Sequence, residues 1–158
     1  GKGSRFSFSI PYFPAHEESN ENEMNITLKA SNTFQSKILI AEDDYASYMY
    51  LKSLLSAEST TFIHTTTGTE TVKAVRENPD ISLIIMDLRM PGLTGFEATR
   101  QIRQFNKFIP IIAQTAYALS GDREMALSSG CNDYISKPLK ASELKKMVFH
   151  FIGRKSTD

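Results

Sequence analysis

Six side chains with the chemistry of a charged active site stand at the ends of four apolar runs. Glu42, Asp43 and Asp44 follow KILIA, Asp87 follows SLIIM, Thr115 closes PIIAQT, and Lys137, backed by Pro138, follows DYIS. Carboxylates crowded at one place repel one another, and the natural remedy is a hard divalent cation bound through oxygen. Magnesium fits best: it keeps several waters, takes one or two carboxylates and leaves room for phosphate oxygens. Lys137 would bring a point positive charge to those oxygens, and Thr115 a hydroxyl donor. With a carboxylate available as nucleophile, the set holds the parts of a phosphoryl-transfer site.

These residues can act together only if the elements that carry them share one edge. From Lys37 onward short apolar runs alternate with helical patterns about five times, which is the pattern of a parallel sheet covered on both faces. The expected strands are KILIAE (residues 37–42), TTFIHT, SLIIM, PIIAQT and NDYIS. The unbroken apolar run Leu83 to Met86 marks a central strand buried on both sides, which forces Asp87 to the sheet's edge, with Pro91-Gly92 supplying a turn beyond it. Ligands of such sheets bind at the carboxyl ends of the strands, where all six residues fall. Asp44 is the expected N-cap of the first helix. Thr67 with Glu70, and Thr94 with Glu97, have the T-x-x-E spacing of a capping box. Inward stripes are expected from Tyr48, Leu51 and Leu55, from Val72 and Val75, from Phe96 and Ile102, and from Leu144, Met147, Val148 and Phe151.

Composition narrows the function classes. A chain of 158 residues, 41% hydrophobic, holds one ordinary domain and some unpacked tail. Eighteen Lys and Arg balance eighteen Asp and Glu, so no net field recruits nucleic acid or an acidic membrane surface. The single cysteine, Cys131, cannot form an internal disulfide. No apolar run approaches the roughly 18 residues a membrane span requires, and no secretory signal is evident, so a cytoplasmic location is expected. Cys131 and His64 read as core or strand residues, His150 as structural and His16 as a linker residue, for want of partners at metal-ligand spacing.

At its charged positions the sequence resembles the receiver domains of two-component signalling. KILIAEDD is similar to that family's first strand and acidic pair, IIMDLRMPGLTG to its phosphoacceptor strand and loop, QTA to its switch threonine, and DYISKPL to its aromatic, lysine and proline. The resemblance covers residues 37 to about 152. It implies a flavodoxin-like (βα)5 fold with a five-stranded parallel sheet of order 2-1-3-4-5, in which Asp87 accepts phosphate from a phosphohistidine. It further implies Mg2+ bound by Asp43, Asp87 and the backbone carbonyl of Arg89, with Glu42 acting through water. Thr115 and Lys137 would contact the phosphoryl group, Tyr134 would change exposure as a switch, and the Lys137-Pro138 peptide would be cis. An aromatic in a strand is more often packing than switch, so Tyr134 has both readings. Glu42 departs from the family's aspartate, a variant associated with receivers fused to kinases. Arg89 and Tyr117 occupy positions that in the family tune acyl-phosphate hydrolysis. Both are bulky, which is expected to impede the attacking water and lengthen the phosphorylated state.

The head of the chain carries a second resemblance. GKGSRFSFSIP is similar to the terminal glycine box and last strand of the ATP-binding domain of histidine kinases. The expected organisation is therefore a kinase-domain remnant at 1–14, a polar linker at 15–36, the receiver at 37–153 and a tail at 154–158, cut from a hybrid sensor kinase. Without a histidine box or nucleotide-binding asparagine motif, the chain's own chemistry would be limited to taking phosphate onto Asp87 and slowly losing it. The implied partners are a phosphohistidine domain, in cis or in trans, and a histidine phosphotransfer protein, with no nucleic acid and no direct membrane contact. The alternatives are the receiver of a stand-alone response regulator and a receiver-like interaction module that is not phosphorylated. A haloacid dehalogenase-type phosphatase is disfavoured because Arg89 stands where its second aspartate would be. A flavin or nucleotide module is disfavoured because EDDYAS would repel phosphate without a metal.

Overall fold

Strand residues alternate between two faces with a period of two, and here both faces of the alternation are apolar. In the computed structural model, which describes residues 36–57, 59–115 and 120–153, this produces a sheet sandwiched between two helical layers. The elements run β1 (Ser36–Ala41), α1 (Tyr45–Leu55), β2 (Thr60–Thr65), α2 (Gly68–Glu77), β3 (Leu83–Asp87), α3 (Gly95–Phe105), β4 (Ile111–Thr115), α4 (Ser120–Ser129), β5 (Asp133–Ser136) and α5 (Ala141–Gly153). All strand pairs are parallel, and the order is β2-β1-β3-β4-β5. The flavodoxin-like topology expected from the sequence is the one observed.

One face of the sheet, carrying Leu39, Ile84, Met86 and Ile111, packs against Val72 and Val75 of α2, Ala98 and Ile102 of α3 and Ala126 of α4. The other, carrying Ile38, Ile40, Ile85 and Ile112, packs against Tyr48, Leu51 and Leu55 of α1 and Leu144 and Val148 of α5. Every residue of β3 is buried, including Asp87, so the central strand ends in a buried carboxylate. Cys131 lies buried on the α3 side as expected, its thiol pushed up in pKa chiefly by burial. Among the described residues, no helix is long and apolar enough to cross a membrane.

Boundaries differ from the sequence reading in small ways. β1 starts at Ser36, one residue into the expected linker, because the Ser36 amide donates to the Ser59 carbonyl. β1 also stops at Ala41, leaving Glu42 just beyond its end. The cap of α3 is the full expected box: Thr94 Oγ1 accepts from the Glu97 amide while Glu97 Oε2 accepts from the Thr94 amide. At α2 Thr67 caps as expected, but the Glu70 carboxylate accepts from the amide and hydroxyl of Thr66, one residue further out. The expected kinase remnant at 1–14, nearly all of the 15–36 linker and the 154–158 tail lie outside the described residues.

Candidate active site

β1 and β3 are neighbours, so Glu42, just past the end of β1, and Asp87, the last residue of β3, meet at the same edge. Both are almost wholly buried, Glu42 1% and Asp87 6% exposed. Two desolvated carboxylates side by side need a cation, and Lys137, delivered by the cis Lys137-Pro138 turn after β5, supplies one. Its Nζ donates to Asp87 Oδ2 at 2.7 Å and to Glu42 Oε2 and Oε1 at 2.8 and 3.1 Å. Burial works to lower the Lys137 pKa, but the bonds and charges of Asp87 and Glu42 outweigh it, and the net shift is upward. The Glu42 pKa is also raised, by burial first and by the Asp87 charge, against the pull of Lys137. The second Asp87 oxygen, Oδ1, accepts from the Arg89 amide at 2.8 Å, so the turn after β3 orients the carboxylate.

Asp43 is exposed and completes the acidic set: one carboxylate oxygen from each of Glu42, Asp43 and Asp87 lies within 4.8 Å of the others. Three hard oxygen donors at that spacing, two of them buried, fit a small divalent cation. Asp44 faces away from this role. Its Oδ2 accepts from the Ser47 amide at 2.8 Å as the N-cap of α1, as its position suggested.

Thr115 ends β4, the strand beside β3, and its Oγ1 donates to Asp122 Oδ2 at 3.1 Å. Arg89 reaches the same oxygen, Nη2 to Oδ2 3.9 Å. Asp122 thus gathers two of the predicted site residues. Tyr134 sits in β5, half-buried against the α3-side core, with the Arg123 guanidinium 5.3 Å from its ring centre. Tyr117 lies outside the described residues. His64, read as structural, is tied to the site through the backbone: its Nε2 lies 2.9 Å from the Glu42 carbonyl oxygen. The arrangement presents an oriented carboxylate, a neutralising ammonium and a hydroxyl around one cleft. Groups of these kinds can receive and hold a phosphoryl group.

Comparison with known proteins agrees with this geometry. Residues 38–149 match the response regulator receiver domain family. The polar-differentiation response regulator DivK of Brucella ovis is 33% identical over 119 residues, covering 73% of this chain and 95% of that protein. The hybrid signal transduction histidine kinase I of Dictyostelium discoideum is 34% identical over 131 residues, 78% of this chain, but the chain spans only 8% of its length. Among solved structures, the receiver domain of a sensor histidine kinase from Pseudomonas aeruginosa, crystallised with magnesium coordinated in its active-site cleft, is 37% identical with a TM-score of 0.68, covering 75% of this chain and 98% of that one. The receiver of the Saccharomyces cerevisiae response regulator Ssk1, crystallised with the histidine phosphotransfer protein Ypd1, is 32% identical with a TM-score of 0.72, covering 77% of this chain and 92% of that one.

Proposed function

Because the chain belongs to the response regulator receiver domain family of two-component signalling, we propose that Asp87 accepts a phosphoryl group from a phosphohistidine. The observation that carries this reading is the buried Asp87 carboxylate at the end of the central strand, with Lys137 Nζ at 2.7 Å. An Asp87 oxygen attacks phosphorus, the phosphorus–nitrogen bond breaks with its electron pair returning to the imidazole, and an acyl phosphate remains. Asp43, Asp87 and the Arg89 carbonyl would hold Mg2+, with Glu42 acting through water, and the ion when bound neutralises charge on the phosphoryl oxygens. Lys137 would stay with those oxygens, Thr115 would leave Asp122 for them, and Tyr134 would follow Thr115 as the switch. Arg89 and Tyr117 would slow the return attack by water.

Partner docking is supported by the surface beside the cleft. Tyr45, Met49 and Tyr50 of α1 are 66%, 42% and 46% exposed, and Tyr50 shares a groove with Lys137, Pro138 and Leu139. An apolar rim around a charged centre suits the helix of a histidine-bearing domain, such as a histidine phosphotransfer protein. The kinase-like head GKGSRFSFSIP and the match to a hybrid kinase support a parent of that type, with the receiver on the cytoplasmic side. The reading frame upstream of Gly1 should then encode a histidine box and an ATP-binding domain; a stop codon immediately upstream would overturn this.

The phosphoacceptor reading is tested by intact-mass spectrometry after incubation with phosphoramidate and Mg2+. The unaltered chain should gain one phosphoryl group and Asp87→Asn none. No gain in the unaltered chain overturns the reading, and an equal gain in both removes Asp87 as the acceptor.

A further inference from the structure

The aromatic pair on the β2 side of the acidic edge plays no part in the reading above. The His64 ring stacks on Tyr48 of α1, centroids 3.7 Å apart and planes 7° from parallel. A carbonyl oxygen only accepts, so the His64 Nε2 beside the Glu42 carbonyl carries the proton and donates to it. That carbonyl needs the donor. The β1–β2 ladder ends with the Glu42 amide donating to the Thr65 carbonyl, the Thr66 amide turns away to Glu70, and Thr67 begins the cap of α2. His64 therefore replaces the strand donor that the start of α2 has removed.

The carbonyl it holds belongs to the planar peptide joining Glu42 to Asp43, and the plane of that peptide sets the direction in which Asp43 leaves the sheet. We infer that His64 is a positioning residue for the cation site, clamping the Glu42–Asp43 peptide between β2 and, through Tyr48, α1. The inference rests on the reading that Glu42, Asp43 and Asp87 hold a divalent cation. Asp43 is exposed and carries the same charge as its two buried neighbours, so repulsion favours its swinging into water. A peptide whose carbonyl is held by a ring that is itself stacked on α1 keeps the Asp43 carboxylate within 4.8 Å of theirs before the cation arrives.

Two substitutions separate the hydrogen bond from the ring. His64→Phe keeps a flat ring for Tyr48 and loses the donor; His64→Gln keeps an amide donor where Nε2 stood and loses the stack. Calorimetric titration of the full chain with Mg2+ alone should show His64→Phe weakened by about tenfold, the low end for losing a partner that orients a metal ligand. His64→Gln should bind close to the unaltered chain, even where its melting temperature in chelator falls further than that of His64→Phe. Equal Mg2+ affinity in His64→Phe and the unaltered chain overturns the inference, as does His64→Gln binding as weakly as His64→Phe. If the unaltered chain itself fails to bind Mg2+, the cation reading falls and this inference with it.

Discussion

Lys137 is the residue on which the resting site depends most, since Glu42 and Asp87 are both buried and both lean on its ammonium. Removing one partner of a buried ion pair typically costs about 3–5 kcal/mol, and the 27% exposure of the Lys137 side chain favours the lower end. Lys137→Met in chelator should thus lose about 3 kcal/mol at neutral pH by urea unfolding. The sign of its pH dependence follows from the raised pKa of Glu42. Because burial makes the folded chain hold that proton more tightly, Glu42's favourable contribution is complete below its ordinary value of 4.5 and is lost as pH rises through the raised value. Taking Lys137 away removes an influence that lowers Glu42, so the variant protonates Glu42 at higher pH. The penalty of Lys137→Met should shrink as pH falls from 7 toward that raised value, and Mg2+ should restore part of it. A penalty that ignores both pH and Mg2+ would mean that Lys137 acts through the packing of its methylenes.

At the scale of elements, what was legible in the sequence was whatever depends on local pattern. The strands, the two-faced sheet, the caps at Asp44 and Thr94 and the strand-end carboxylates all follow from spacing within a few residues. Asp122 and His64 were not read as site residues, because their contacts join positions 7 and 22 residues apart in sequence and carry no local period. Gln114 is a further case: it is wholly buried on β4 beside Asp87, and neither side-chain polar atom has a partner among the described residues. Nothing in the structure accounts for that. Gly95 shows how tightly an element can be set against the site. It opens α3 beneath the Asp87 carbonyl, donates its amide to the Leu88 carbonyl at 3.2 Å, and a Cβ there would overlap the Asp87 carbonyl oxygen and backbone carbon. Gly95→Ala must push α3 away or twist the end of β3. It should lose about 1–3 kcal/mol, the usual range for overpacking. It should also take phosphate more slowly, whereas a substitution at Gly121, where a Cβ would meet nothing, should do neither. Unchanged stability in Gly95→Ala would show that α3 is not held against the site.

Across the whole molecule, the proposed switch would link Asp87 to α4 through Thr115, whose hydroxyl donates to Asp122 in the first turn of that helix. If Thr115 is to move to a phosphoryl group, that bond must open, at an oxygen that Arg89 Nη2 also approaches to 3.9 Å. The carboxylate of Asp122 therefore favours the resting arrangement, and a new negative charge at Asp87 would repel it. α4 then has reason to shift, and with it Arg123, whose guanidinium stands 5.3 Å from the ring of Tyr134 on β5. Asp122→Ala removes one resting partner of Thr115 and leaves Asp87 and Lys137 unaltered. A net hydrogen-bond contribution of about 1 kcal/mol is about fivefold in a two-state equilibrium, so phosphoramidate should load Asp87 about fivefold faster in this variant. Asp122→Asn, which keeps an acceptor for Thr115 but not the charge, should fall between the two. A loading rate in Asp122→Ala at or below that of the unaltered chain would mean that Asp122 does not restrain Thr115, and that the α4 surface is coupled to Asp87 by another route.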